Sequence, residues 1–369
     1  MKSIELIPYH PGHDTGIKAL CRIPVSGNIL LTLEREPNYF AGAGVQCEEP
    51  EVYVCVRTMD GLVCGVFNIG FRKLFYNGKI EKVRYLCDLR IHPDYQKSTL
   101  FYRIIKFISS IELAPNGLPA QTVVFADNHG MIQMINRRAK KNLRGEIPFY
   151  HLAGTLVTTM LTLKRRLKAT ENIAVRSANE QDIPAMNSFW KSEGSKINYF
   201  PFYDFMELNQ PYYEGLNLRD FYLAFRNDEL VGITGTWNQK SLKQTRIVGY
   251  STAYRLAKPI YNLYAAISGN PRLPKHGSIM NYLGLHSILV KNRNPEVFAA
   301  LLSTITESMQ DSNFEYLLFA FDENDPLQKM VDKLPNKRQI IGNYYLVNNG
   351  EKLPEDLLNS WFYLEAARI

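Results

Sequence analysis

Residues 89–105 read LRIHPDYQKSTLFYRII and contain the end of a strand, a polar loop and the start of a helix. The strand covers residues 83–91, and Pro93 prevents it from continuing. The loop covers residues 92–99, and apolar residues then recur at helical spacing over residues 100–111. Because a helix N-terminus exposes unpaired N–H groups, this unit predicts an anion site, although many such units bind nothing.

The elements around this unit predict an α+β fold. Residues 51–67 alternate apolar and polar side chains and turn at Asp60-Gly61, which indicates a β-hairpin. After the helix comes a buried strand at residues 122–126, then a helix at 131–141 and closing strands at 149–163. This order is typical of a mixed, mostly antiparallel sheet flanked by helices.

A weak internal repeat divides the chain into two domains. Residues 220–235 repeat the hairpin pattern of residues 51–67, with Arg226 matching Arg57 and Gly232 matching Gly65. The offset is near half the chain length, which indicates two copies of one fold. The charged residues 163–171 form the predicted linker, so we expect domains at residues 1–165 and 172–369.

Composition excludes several classes of protein. The chain has 369 residues, 46% hydrophobic and 21% charged, which is a globular composition. No apolar run approaches the roughly 20 residues that cross a bilayer, and no signal peptide is visible. The five cysteines have no metal-type spacing, and their odd number argues against a disulfide framework. A cytoplasmic location without a membrane partner or a bound metal is the simplest interpretation.

The net charge of +7 is concentrated in the first domain. Residues 1–168 contain 23 Lys and Arg against 14 Asp and Glu, and the remainder is slightly negative. An anionic ligand such as a phosphorylated cofactor or a nucleic acid would suit this distribution. A solvated basic surface explains it equally well.

Over most of residues 1–165 the chain resembles the GNAT acetyltransferase superfamily. IHPDYQ at residues 91–96 resembles the end of that family's fourth strand and the start of its pyrophosphate loop. DGLVCG at 60–65 resembles its hairpin, and VFADN at 124–128 resembles its fifth strand with the cofactor-contacting asparagine. The resemblance implies two GNAT-like domains, of which the second keeps the architecture and has a degenerate cofactor loop at residues 290–298.

The resemblance implies an acyl-CoA, in the first instance acetyl-CoA, as co-substrate of the first domain. The family's loop pattern Q/R-x-x-G-x-G/A places its Gln/Arg on Gln96 and its two glycines on Thr99 and Phe101. A splayed fourth strand would offer backbone N–H groups around Leu89 and Ile91 to a tetrahedral intermediate. The cofactor-binding residues so implied are Leu89, Arg90, Ile91, Gln96, Lys97, Ser98, Thr99, Leu100, Phe101 and Asn128.

Transfer of an acyl group to an amine also needs a general base. Asp88 and Tyr85 are the catalytic candidates, because Asp88 is the carboxylate of the strand and Tyr85 stands where several family members carry a glutamate. The alternative for Asp88 is an ion pair with Arg84, Arg90 or a neighbouring helix. The position of the family's tyrosine acid holds Ile135.

Two further segments are candidates for the acceptor site. Residues 198–205 and 211–213 concentrate aromatic side chains, which would line a pocket or pack the domains together. Glu34 and Glu36 lie in the segment 29–43, where the family binds its acceptor, and would receive a cationic amine or form a solvated loop.

Three functions therefore compete. The first is an acyl-CoA-dependent N-acyltransferase acting on a small-molecule or peptide amine. The second is a non-catalytic regulatory protein that binds acyl-CoA or another small molecule on the same scaffold, as the side chains at Thr99, Phe101 and Ile135 suggest. A nucleic-acid-linked activity fits the pI of about 9.0, but no nucleic-acid module accompanies it.

Overall fold

The computed structural model describes residues 4–25, 27–141, 147–163, 167, 172–268, 272–350, 352–357 and 361–369. Most of the predicted linker, including the predicted boundary at residue 165, lies outside the described residues. Sixteen strands are described: β1 Ile4–Pro8, β2 Ile29–Glu34, β3 Val52–Arg57, β4 Val63–Asn68, β5 Phe71–Tyr76, β6 Lys79–Ile91, β7 Ala120–Phe125, β8 Phe149–Thr162, β9 Ala174–Ser177, β10 Phe200–Pro201, β11 Phe221–Arg226, β12 Glu229–Trp237, β13 Gln244–Tyr250, β14 Tyr282–Val290, β15 Tyr316–Asp322 and β16 Lys337–Asn348.

Helices occur in both halves of the chain, by which we mean the predicted domains 1–165 and 172–369. The described α-helices are α1 Asp14–Cys21, α2 Tyr39–Gln46, α3 Pro93–Gln96, α4 Leu100–Ser110, α5 His129–Lys141, α6 Ile183–Gly194, α7 Thr252–Ser268, α8 Pro295–Ser308 and α9 Pro326–Val331. None of the helices within the described ranges has both the length and the apolar character needed to span a bilayer.

One large sheet runs through both halves. Its main path has the order β1-β3-β4-β6-β7-β16-β8-β15-β14-β12-β11-β9. The pairs β6/β7 and β14/β15 are parallel, and the other pairs are antiparallel. This confirms the predicted α+β class with a mixed, mostly antiparallel sheet.

The two halves exchange their last long strands. β16 inserts between β7 and β8, and residues 156–162 of β8 pair with the whole of β15. Residues 149–163, predicted as several closing strands of the first half, form this single strand. Each half therefore completes its sheet with a strand of the other. The predicted division at residues 165 and 172 stays a prediction.

Both predicted hairpins are present with matching bulges. β3 and β4 pair around the Asp60-Gly61 turn, and β11 and β12 pair around Asn227-Asp228. In the next pairing, Gly65 lies opposite Ile91, and Gly232 lies opposite Val290. Shortly after each glycine the register shifts by one residue. The repeat read from the sequence thus corresponds to a repeated backbone geometry.

Helix α4 has the predicted apolar side, with Leu100, Ile104, Ile105 and Ile108 buried in the core of the first half. The predicted loop at residues 92–99 contains the one-turn helix α3. His92 caps it by accepting the Asp94 N–H at 3.3 Å, and Pro93 supplies a suitable first residue. The prediction of a loop at residues 92–99 missed this short helix, because it did not use these two local preferences.

Candidate functional site

A cleft lies where two parallel strands separate. Within the described residues, β6 and β7 pair only at Tyr85 with Gln121 and at Leu86 with Thr122. β6 then continues to Ile91 and β7 to Phe125. We call the gap between residues 87–91 of β6 and 123–125 of β7 the first cleft. Over these residues no described strand pairs with β6 on this side, so its backbone groups there lack a strand partner.

A bulge shapes the β6 side of the first cleft. On the other edge of β6, Val66 lies opposite Arg90 and Asn68 lies opposite Cys87, so an extra residue is accommodated between them. Asp88 has φ of 55° at this point, which is unusual for a residue with a side chain. The bulge interrupts the regular alternation of faces that an extended strand would give to Tyr85, Cys87, Asp88 and Leu89.

The Asp88 carboxylate is held by two guanidinium groups. Arg35 Nη2 donates to Oδ2 at 3.0 Å, and Arg90 donates to Oδ1 from Nε and Nη2, each at 3.1 Å. Burial alone would raise the pKa of Asp88, but the charges of Arg35 and Arg90 lower it well below its usual value. The ion-pair alternative is therefore present, with Arg35 added, whereas Arg84 bonds Glu51. A role of Asp88 as general base stays a prediction.

Tyr85 lies beneath an arginine. Its side chain is 1% exposed, and the guanidinium carbon of Arg72 lies 3.4 Å from the ring centroid. Burial raises the pKa of Tyr85 far above neutrality despite the Arg72 charge. The phenol is therefore protonated at neutral pH, and its role as a base also stays a prediction.

A cationic cluster from distant segments, which the sequence did not reveal, surrounds this region. Arg72 donates from Nε to the Gln46 carbonyl at 2.7 Å and from Nη2 to the Arg368 carbonyl. Lys243 donates to the carbonyl of Ala367 at 3.2 Å and to an oxygen of Ile369 at 2.6 Å. Burial, reinforced by the Arg35 charge, lowers the pKa of Lys243 to about 7. No local pattern could reveal these residues, because tertiary folding alone brings them together.

The predicted cofactor loop is exposed beside α4. Gln96, Lys97, Ser98 and Thr99 are all exposed, and Gln96 Nε2 donates to the Ile91 carbonyl at 3.3 Å. The Ser98 hydroxyl donates to the Tyr95 carbonyl at 2.6 Å and accepts the Leu100 N–H at 3.1 Å. Lys97 is thus an exposed cation at the helix N-terminus, while Ser98 already stabilises the turn.

The remaining predicted cofactor residues have different environments. Leu100 is buried and Phe101 is partly buried in the core of the first half, so these two side chains contribute packing. Leu89 and Ile91 also pack partly against this core, and Arg90 bonds Asp88. Asn128 is exposed and caps α5 by accepting the Met131 N–H at 3.2 Å. Contacts of these residues with a cofactor stay predictions.

The equivalent cleft of the second half is filled by the chain itself. β14 and β15 pair at residues 282–284 and then separate, and Ser287 has φ of 56° at the bulge. The Ser287 N–H donates to Oε2 of Glu365 at 2.7 Å. A side chain at Gly284 would lie 3.1 Å from the Ala367 side chain, so the backbone and this segment touch. We call the space between β14 and β15 the second cleft and residues 361–369 the C-terminal segment.

Arg368 anchors the C-terminal segment to both halves. Its Nε donates to His286 Nε2 at 2.9 Å. Its Nη1 donates to the carbonyls of Val45 at 2.7 Å and Tyr212 at 2.6 Å. The guanidinium carbon lies 3.5 Å from the Tyr212 ring centroid. The C-terminal segment therefore links the second cleft to helix α2 of the first half.

The two acceptor candidates are largely occupied by internal contacts. Glu34 bonds Arg246 at 2.9 Å, and Glu36 bonds Lys18 at 2.9 Å and Arg22 at 2.8 Å. The aromatic residues of 198–205 mostly pack in the core, and β10 pairs with β5 of the first half. Tyr212 and Tyr213 pack there as well, and with Pro211 they border a cavity of about 330 Å³, which is lined by Glu48, Lys73, Glu207, Gln210, Pro211, Tyr212 and Tyr213.

Among the residues that the structure describes, no group of three His, Cys, Asp or Glu side chains is arranged to hold a metal ion. The five cysteines are free thiols.

Of the comparisons with known proteins, only the one with solved structures gives matches. No protein-family model matches the chain, and no curated protein matches it by sequence. The Saccharomyces cerevisiae N-myristoyltransferase with bound myristoyl-CoA matches with a TM-score of 0.57 at 11% identity, over 94% of this chain and 79% of that chain. A GCN5-related N-acetyltransferase from Sphaerobacter thermophilus matches with a TM-score of 0.53 at 10% identity, over 93% of this chain and 94% of that chain.

A third solved structure has the same architecture. It contains the GCN5-related glucosamine N-acetyltransferase region of a fungal multi-domain β-N-acetylglucosaminidase, with a TM-score of 0.56 at 9% identity, and the match covers 94% of this chain and 38% of that chain. At such identities the likeness shows the fold. The resemblance seen in the sequence is confirmed at that level: the chain has the fold of the GCN5-related N-acetyltransferase superfamily, in a tandem arrangement.

Proposed function

We propose that the chain is an acyl-CoA-dependent N-acyltransferase whose first half binds the acyl-CoA. The observation that carries this proposal is the contrast between the clefts. In the second cleft the Ser287 N–H binds a carboxylate oxygen of Glu365. The Asp88 N–H is its counterpart at the bulge of the first cleft. An N–H group in this position would bind the oxyanion of a tetrahedral intermediate.

The position of the basic loop and the fold both support an acyl-CoA as the co-substrate. Lys97 and the N-terminus of α4 lie directly after β6 and would attract a diphosphate. The yeast N-myristoyltransferase of this fold was solved with myristoyl-CoA, which supports an acyl-CoA. Acetyl-CoA is the proposed donor, a small-molecule or peptide amine the proposed acceptor, and the cytoplasm, where CoA thioesters and reduced thiols occur, the proposed location.

The reaction would form one bond and break one. The acceptor nitrogen attacks the thioester carbonyl, the C–N bond forms, the C–S bond breaks, and the proton that the nitrogen then loses ends on the departing CoA thiolate. The acceptor ammonium must first lose a proton. Asp88 is paired with Arg35 and Arg90, so Lys243, with its pKa near 7, is the stronger proton acceptor in this region.

Isothermal titration with acetyl-CoA tests the proposal directly. We expect binding at one site per chain, followed by CoA release when a suitable amine is added. A panel of small amines and peptides, with release detected by mass spectrometry, would find the acceptor. Failure to bind acetyl-CoA or longer acyl-CoAs at millimolar concentration would exclude the proposal.

A non-catalytic acyl-CoA-binding or small-molecule-binding regulator is the second candidate. It is favoured by the ion-paired Asp88, the buried Tyr85 and the Ile135 in the place of the family's acid. This function predicts binding without turnover across the whole amine panel. In the acyltransferase, kcat/KM should rise with pH through about 7, and Lys243→Arg should remove that rise.

A further inference from the structure

Helix α7 packs on the rest of the molecule through its more polar side. Ala265 is its buried residue, and Lys258, Tyr261, Asn262 and Ser268 are half-buried on the same side. Lys258 Nζ donates to the Pro274 carbonyl at 2.6 Å, and Asn262 Oδ1 accepts the Leu273 N–H at 2.8 Å. The inner side of α7 is therefore held by polar contacts.

The opposite side of α7 is apolar and exposed. Leu256, Ile260, Leu263 and Ile267 recur at helical spacing and are 72%, 75%, 67% and 81% exposed. A surface helix usually turns such a stripe to the core. Ile340 and Ile341 of β16 are also exposed, and Arg338 of that strand bonds the Tyr261 hydroxyl at 3.2 Å. An exposed apolar stripe of this kind marks an interaction surface.

The sequence around α7 contains only basic charges. Between Glu229 and Glu296 there is no acidic residue, whereas nine lysines and arginines occur there. Arg255, Arg272 and Lys275 are exposed, as is Arg338 of the adjacent strand. The apolar stripe of α7 is thus accompanied by exposed positive charge, which an anionic partner would complement.

We propose that α7 docks the chain on an anionic lipid membrane surface. The helix would lie in the interface, with its apolar stripe among the acyl chains and the flanking cations at the lipid phosphates. Tyr264, which is 57% exposed beside the stripe, would lie near the headgroups. A two-fold contact with a second copy fits less well, because self-association would bring the cationic flanks of both copies together.

This surface is compatible with the absence of an apolar run that could cross a bilayer. Interfacial helices need only one apolar side, so the proposal departs from the expectation of no membrane partner, which rested on the lack of such a run. The Ile341 carbonyl accepts the Ala126 N–H at 3.0 Å, directly after β7, so this exposed part of β16 lies at the edge of the first cleft. Membrane docking does not depend on the proposed acyl transfer and is tested without it.

Vesicle flotation of the full chain tests the proposal. The probes are vesicles of phosphatidylcholine alone and of phosphatidylcholine with one third phosphatidylglycerol. We expect the wild type to float with the anionic vesicles at least tenfold better than with the neutral ones, and to be released by salt. The variant Leu256→Glu/Ile260→Glu should lose flotation. The matched control is Met206→Glu. Met206 lies outside α7 and is 74% exposed, so this variant should float like the wild type.

The charges are tested separately. Arg255→Gln/Lys275→Gln should weaken binding to anionic vesicles by roughly fivefold per charge removed. Circular dichroism establishes that each variant is folded. Absence of wild-type flotation, or equal flotation of the Leu256→Glu/Ile260→Glu variant, would overturn the proposal. A dimer that this variant converts to a monomer, with no wild-type flotation, would assign the surface to a second copy.

Discussion

Asp88 and Ser287 lie at equivalent positions in the two halves, and each is the left-handed residue of a bulge beside a parallel strand pair that separates. Their partners differ. The Asp88 side chain bonds Arg35 and Arg90, whereas the Ser287 N–H bonds Glu365. The same backbone geometry is thus kept twice, and in the second half the C-terminal segment binds at the bulge.

The Asp88 ion pairs are expected to stabilise the bulge. Asp88→Asn removes the charge that compensates two guanidinium groups at a nearly buried site, and should lower the free energy of unfolding by about 3–5 kcal/mol. Urea unfolding at neutral pH measures this loss. Asp94→Asn is the matched control, because the Asp94 side chain is 80% exposed and should change stability by less than about 0.5 kcal/mol. Equal effects of the two variants would show that Asp88 does not hold the bulge.

The exposed loop of the first half should provide the diphosphate contacts. Gln96→Ala/Lys97→Ala removes an amide and a positive charge before α4, and should weaken acetyl-CoA binding by about tenfold. Isothermal titration measures the dissociation constant. Lys291→Ala removes an exposed lysine at the matching place of the second half, where Lys291 pairs with Glu229, and should leave binding unchanged. A loss in the Lys291→Ala variant comparable to that in the loop variant would place the cofactor in the second half.

Contact between Gly284 and the C-terminal segment gives a third prediction. An alanine side chain at residue 284 would lie 3.1 Å from that of Ala367, so Gly284→Ala should destabilise the fold by about 1–3 kcal/mol. Thermal unfolding followed by circular dichroism measures the change. Gly44→Ala is the control, because a side chain there meets nothing within 4 Å and helix α2 should gain up to about 1 kcal/mol. Unchanged stability of Gly284→Ala would mean that the C-terminal segment does not occupy the second cleft tightly.

The local elements of the fold could be predicted from the sequence because their signals are local. The turn at Asp60-Gly61 and the helical spacing of Leu100, Ile104 and Ile108 each lie within one short segment. The exchange of β8 and β16 has no such signal, since strands of both halves offer similar apolar edges and the pairing is decided by tertiary contacts.

In the candidate site too, only the residues of one local segment could be predicted. The strand-loop-helix unit located Asp88 and Gln96 next to the first cleft, since the cleft lies where one strand ends. Arg35, Lys243 and the C-terminal segment come from distant parts of the chain. Their approach depends on the packing of the two halves, and a buried arginine or lysine has no distinctive pattern in a single sequence.

Glu365 provides a prediction for the pH dependence of stability. Burial raises its pKa from the usual 4.5 to about 7, against the opposing Ser287 N–H bond and the Arg368 charge. Between these two values the folded state binds more protons than the unfolded state, so the free energy of unfolding should fall as pH rises from about 4.5 to 7. Glu365→Gln keeps a neutral side chain of the same shape and should remove this decline, a difference of a few kcal/mol across the interval.

Urea unfolding at several pH values between 4 and 8 measures both curves. The stabilities of the two proteins should be similar near pH 4, and the variant should be the more stable at pH 8. Glu323→Gln serves as the control, because Glu323 is an exposed carboxylate near the same cleft and should keep the wild-type pH dependence. If the wild-type curve and the Glu365→Gln curve stay parallel from pH 4 to 8, the Glu365 carboxyl is not buried in the second cleft as the Ser287 contact requires.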